Sequence, residues 1–182
     1  MGEITQLLGA VRAGDKDALG RVFDTLYPEL QRLARARIDA GERSLTPTVL
    51  VHEAYLRLVG SAELSLNDRR HFMACAARVM RAIMIDHARR RTADKRGGGE
   101  QALKIDDVEI PIAGLDGEML ALDEALLQLD KVNPRQREVV ELRFFAGLNF
   151  DQIASLLDCG ARTAQRDWDR ARAFLAVQLS SA

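Results

Sequence analysis

The sequence predicts an all-α protein: two small helical domains joined by a flexible acidic linker. Three observations predict it. Apolar residues recur at the three- and four-residue steps of a helix, whereas the alternation that a half-buried strand requires is not sustained anywhere. Cap and breaker residues divide the helical stretches at definite points. A glycine-rich and acidic segment, residues 97–118, separates the N-terminal helices, within residues 1–96, from the C-terminal ones, within 119–182.

In chain order, the segment from Asp17 places Leu19, Val22, Phe23, Leu26, Leu30 and Leu33 on one stripe of period near 3.6. Thr46 is placed as an N-cap with Pro47 at the first helical position, and Gly60 ends that helix. Asn67 is placed to cap a third long helix, in which Phe72, Ala76, Val79 and Ile83 recur at steps of four, three and four. That helix runs out through Asp86, His87 and a group of arginines.

Beyond RGGG, Pro111 and a run of acids, helices resume with Leu120, Leu122, Ala125, Leu126 and Leu129. Asn133 before Pro134, with Gln136 three residues after the cap, starts a further helix that Gly147 ends. Asn149 with Gln152 repeats the signal for FDQIASLL, which Asp158, Cys159 and Gly160 stop ahead of a last helix. Two helices joined by so short a turn have the outline of a helix-turn-helix.

With 47% hydrophobic and 29% charged residues, the composition is that of a soluble globular chain. No run of about 18 apolar residues offers a membrane span, and the N-terminus lacks the parts of a signal peptide, so the expected location is cytoplasmic. Cys75 and Cys159 lie too far apart for paired ligand spacing and read as buried free thiols. His71 and Cys75, four apart, are one pair and not a metal site, and His52, His71 and His87 form no triad with acids or cysteines. No enzyme, cofactor or metal is expected.

A net charge of −1 excludes indiscriminate coating of nucleic acid, but the charge is unevenly spread. Arg89, Arg90, Arg91, Lys95 and Arg96 face a single acid, Asp94, whereas Asp106, Asp107, Glu109, Asp116, Glu118, Asp123, Glu124 and Asp130 follow with no base among them. One surface suits phosphate and another avoids it. In the last helix Ala164, Trp168, Ala171 and Leu175 share a face, leaving Arg162, Thr163, Gln165, Arg166, Asp169 and Arg170 to the rest of the surface. Arginine can bond guanine bidentately and glutamine adenine, and a helix fits the major groove, so these six are candidate base and phosphate contacts. A solvated face of an ordinary helical bundle is the plainer alternative.

The segment NPRQREVVELRFFAGLNFDQIASLLDCGARTAQRDWDRARAFL resembles the C-terminal domain of sigma-70 family transcription initiation factors, and the N-terminal half resembles their other conserved domain. The length leaves room only for the two-domain, extracytoplasmic-function (ECF) type, and LTPTVLVHEAYLRL resembles one branch of it. The resemblance implies a factor that binds core RNA polymerase, through the clamp of the largest subunit and the flap of the second largest, and directs it to promoter DNA. It implies that Val51, His52, Glu53, Tyr55, Leu56 and Arg57 dock on polymerase. Arg78, Arg81, Asp86, His87, Arg89, Arg90 and Arg91 would face the −10 element, and the last helix the −35 element. Where an aromatic residue is usual for capturing −10 bases, Cys75 and Ala77 stand. An anti-sigma factor is a further partner that the resemblance admits. The competing reading is a stand-alone helix-turn-helix regulator that binds its own palindromic site, and a third is a helical adaptor that binds only protein.

Overall fold

The computed structural model describes residues 2–38, 45–60, 66–94, 101–105, 108–112 and 114–180. The chain divides into two compact units, Met1–Ile83 and Met84–Ala182. The first holds α1 (Glu3–Arg12), α2 (Lys16–Arg35), α3 (Pro47–Val59) and the first part of α4 (Arg69–Asp94), whose remainder belongs to the second.

The expected stripe of α2 turns inward: Leu19, Val22, Phe23, Leu26 and Leu30 are buried, with Leu33 half-buried at the edge. Phe23 is held edge-on by the rings of Tyr55 at 4.9 Å and Phe72 at 5.2 Å, tying α2 to α3 and α4. The caps of α3 form as the sequence suggests. Thr46 accepts the Val49 N–H, Pro47 opens the helix, and the Gly60 N–H closes on the Leu56 carbonyl.

For α4 the cap differs from the expectation. Asp68, not Asn67, caps it, its Oδ1 accepting the N–H groups of Arg70 and His71 at 2.8 and 3.0 Å. A carboxylate at a helix N-terminus gains from the dipole as well as from the hydrogen bonds, an advantage an amide lacks. Asn67 is left to accept a hydrogen bond from Arg12 at 3.0 Å.

In the second unit α5 (Gly114–Val132) begins ahead of position 119, where the sequence reading placed the domain. Within the connector lies a two-stranded antiparallel hairpin, β1 (Gln101–Ile105) with β2 (Val108–Ile112), paired from Gln101–Ile112 to Ile105–Val108. The sequence reading had no strand here: QALKI does not alternate, and VEIPI, which does, carries Pro111 and stands among the acids and glycines that read as a linker. The glycines 97–99 and the acids Asp106 and Asp107 lie outside the described residues.

The core of this unit gathers Leu122, Ala125, Leu126 and Leu129 of α5 with Val139 and Val140 of α6 (Pro134–Val140) and Ile153 of α7 (Phe150–Leu156). Ala164, Trp168, Ala171, Leu175 and Leu179 of α8 (Ala161–Ser180) complete it. Residues Glu141–Phe145 continue α6 as a π turn, with the Ala146 N–H reaching back five residues to the Glu141 carbonyl. The wider turn keeps Leu142 and Phe145 buried together while Arg143 and Phe144 reach the surface in part. No helix among the described residues is long and apolar enough to cross a membrane.

Candidate nucleic-acid interface

The α7–α8 pair is held by local chemistry that the sequence specifies. Asn149 and Gln152 form a reciprocal capping box, each side chain accepting the other's backbone N–H at 2.9 Å. Arg143 braces the entry to α7, its guanidinium lying 5.0 Å from the centre of the Phe150 ring and donating to the Leu148 carbonyl at 3.1 Å. At the exit the chain reverses through Asp158, which adopts a left-handed φ of 48°, and the Cys159 N–H bonds the Ala154 carbonyl at 3.0 Å. Ala154 is buried and small, so α7 and α8 can approach closely at the turn.

This turn sets α8 with its apolar stripe inward. Arg162, Gln165, Arg166, Asp169 and Arg170 are exposed, and Thr163 is half-buried beside the N-terminus. Among the described residues, no hydrogen bond or ion pair engages the side chains of those five exposed positions. Three guanidiniums and one carboxylate give the face a net positive charge, and its donors are unspent. Such a surface can bind phosphate and read base edges without first breaking internal bonds.

One acid of α8 points the other way. Asp167 is 1% exposed, and its carboxylate accepts from Arg135 Nε of α6 at 2.7 Å. The hydrogen bond and charge of Asp167 raise the pKa of the Arg135 guanidinium above its ordinary value. Beside it, Arg137 bridges Glu141 at 2.8 Å and Asp130 at 3.5 Å. The sequence reading missed this ionic layer. Its signal was present in the position of Asp167, three residues after Ala164 and four before Ala171, on the flank of the inward stripe.

The arginines of α4 are in a different condition. Arg78 is exposed but Arg81 is only 7% exposed, so the two do not share one open surface. Arg89 reaches Asp123 of α5 at 3.3 Å, and Arg90 donates through Nε to the Asp86 carbonyl at 3.2 Å. Arg78, Arg81, Asp86, His87 and Arg91 each have an intramolecular partner as well. Lys95 and Arg96, which the sequence added to this cluster, lie outside the described residues.

Along α3 the candidate docking residues divide. Val51 is 1% exposed and Tyr55 is half-buried against Phe23, whereas Leu56 is 66% exposed, flanked by exposed Val49 and Val59. His52 and Arg57 are exposed and Glu53 is half-buried around that apolar strip. Cys75 and Cys159 are free thiols, half-buried where the sequence suggested full burial. Burial raises the pKa of the Cys75 thiol, with Arg78 partly opposing it, which makes it a poor nucleophile. No group of three metal-ligating side chains occurs among the described residues.

A chain that is helical apart from one hairpin, with a braced helix-turn-helix and an open basic face on its second helix, has the form of a DNA-binding protein. Residues 1–181 match the family described as ECF sigma factor, and the chain belongs to that family. Its members are transcription initiation factors, not enzymes. The chain is also similar to the ECF RNA polymerase sigma factor BldN of Streptomyces coelicolor, 26% identical over 155 residues. That match covers 84% of this chain and 56% of the relative.

Proposed function

We propose that this chain binds core RNA polymerase in the cytoplasm and directs it to a particular set of promoters. Residues 1–96 act as the domain that docks on the clamp and faces the −10 element. Residues 119–182 read the −35 element and meet the flap, and 97–118 connect the two. The observation that carries the reading is the face of α8, where Arg162, Gln165, Arg166 and Arg170 stand exposed with no internal partner among the described residues. The exposed Leu56 and Val59 on α3, one turn apart, with Val49 on the far side of His52, support a protein partner, since they leave large apolar side chains in solvent among polar groups. An anti-sigma factor would find the same side chains.

The reading separates a sigma factor from a self-sufficient regulator by what each does alone. A face of one helix is too small for high affinity by itself, so the chain should bind promoter duplex weakly without polymerase. Transcription in vitro from a promoter library is the test, run with core polymerase alone, with the chain added, and with the chain on DNA in the absence of polymerase. Sequence-specific initiation that appears only when both proteins are present supports the proposal. Tight, specific binding by the chain alone, with no effect on polymerase, overturns it in favour of a stand-alone regulator.

A further inference from the structure

The Arg135–Asp167 pair has no part in the docking or base contacts described above, yet it lies within the reading domain. Asp167 sits between Arg166 and Trp168, so the residue on one side of it belongs to the outward face and the residue on the other to the core. Its carboxylate is buried, and the atom that answers it comes from the first turn of α6, 32 positions earlier in the chain. Arg135 itself follows Pro134 and the Asn133 cap, where the backbone is fixed by the Gln136 N–H bond to Asn133 at 3.1 Å. The two ends of the contact are therefore both anchored.

The apolar stripe of α8 alternates large and small residues: Trp168, Leu175 and Leu179 are buried between and beyond the short Ala164 and Ala171. Such contacts set the depth of the helix more sharply than its rotation, since they are not directional. Asp167 lies roughly 60° round the helix from Ala164, on the flank of the stripe. A directional bond at that flank resists turning in a way that apolar contacts do not. The effect at the far side is large: a rotation of about 20° moves a point on a helix surface of roughly 6 Å radius by about 2 Å. A bidentate contact to a base tolerates only a few tenths of an ångström.

We propose that Arg135 is a positioning residue for promoter reading: through its bond to buried Asp167 it fixes the rotation of α8 and so the register in which Arg162, Gln165 and Arg166 meet the base edges. The inference rests on the proposed function, since it concerns how the same face reads DNA. Loss of the bond should affect several adjacent upstream bases at once, because the whole face turns together. Loss of one reading side chain should affect only the bases it touches.

The experiment uses the full chain with core polymerase on promoters randomised across the upstream element, comparing wild type with Arg135→Gln, Arg135→Lys and the double variant Arg135→Gln/Asp167→Asn. Thermal unfolding of each is recorded separately. Arg135→Gln should lower initiation about tenfold and flatten preference at three or more neighbouring upstream positions, with the downstream preference unchanged. The double variant, which replaces the ion pair by a neutral hydrogen bond, should restore most of the preference. Arg135→Lys keeps the charge but loses the planar donor and should fall between, which keeps the test decisive should Arg135→Gln unfold. A lower melting temperature with the base-preference profile of wild type would mean that the pair only stabilises the domain, and the inference fails. If wild type itself gives no initiation with polymerase, it is the proposed function that fails.

Discussion

Leu56 and Leu58 lie two residues apart on α3, and the structure assigns them opposite tasks. Leu56 is 66% exposed and Leu58 1%. Complete burial of a leucine side chain is worth roughly 1.5–3 kcal/mol. About two-thirds of that remains to be gained when Leu56 meets a partner, or about 1–2 kcal/mol, which is about 5- to 30-fold in Kd. Leu56→Ala should therefore weaken binding to core polymerase by that factor. Leu56→Glu should weaken it further, because a carboxylate would have to be desolvated at the contact. Neither should move the folding free energy by more than about 0.5 kcal/mol, as expected at an exposed site. Leu58→Ala should do the reverse, costing about 2–5 kcal/mol of stability through the cavity it leaves. Titrating labelled chain with core polymerase by fluorescence anisotropy, beside circular dichroism melts of the same variants, measures both quantities. Binding of Leu56→Glu with the wild-type Kd would refute the assignment of α3 as the docking helix.

Three further outcomes are expected. Arg166→Ala should relax preference at one or two upstream bases, at a cost of about 1–3 kcal/mol of discrimination, whereas Arg90→Ala should lower affinity for all promoters and reduce the salt slope by about one; both are read from library transcription at several salt concentrations. Asp158→Val should destabilise the C-terminal unit by about 1–2 kcal/mol because a β-branched residue resists the left-handed backbone there, while Asp158→Gly should melt no lower than wild type. Glu118 is 1% exposed, its Oε1 has no hydrogen-bond partner, and burial pushes its pKa from 4.5 up to about 7. The folded state then binds this proton more tightly than the unfolded state, so stability should be full below about pH 4.5 and fall by a few kcal/mol as pH rises through about 7, each tenfold difference in proton affinity being worth about 1.4 kcal/mol. Glu118→Gln should abolish that slope in urea melts between about pH 5 and 8.

The helices and most of their ends were legible because they are written in local chemistry. Thr46 with Pro47, and Asn149 with Gln152, are start signals whose hydrogen bonds close within three residues, so the sequence contains both partners. The inward stripe of α8 and its outward arginines were legible for the same reason, since a helical period decides them. What the sequence left open depends on contacts between distant residues. Asp68 displaced Asn67 as a cap where both types are acceptable, and Asn67 was taken by Arg12, 55 positions away. Arg81 reads as a phosphate contact by type, yet its place on the helix buries it. The partner of Asp167 could not be named from spacing, because Arg135 reaches it only once α6 and α8 are packed.

The π turn at Glu141–Phe145 gives the C-terminal unit one place where chain length can change with little disturbance. A turn of this kind holds one residue more than the α pitch needs, spread over nearly the same angle. Removing that residue would let ordinary four-residue bonds form while the helix before the turn and the chain after it kept nearly the same relative orientation. The Arg137–Glu141 pair, four residues apart on the helix, would keep its spacing. A deletion between Gln136 and Val140, where no residue is spare, would instead turn Arg135 and the Asn133 cap by roughly 100° against α8 and carry the Arg135 guanidinium away from Asp167.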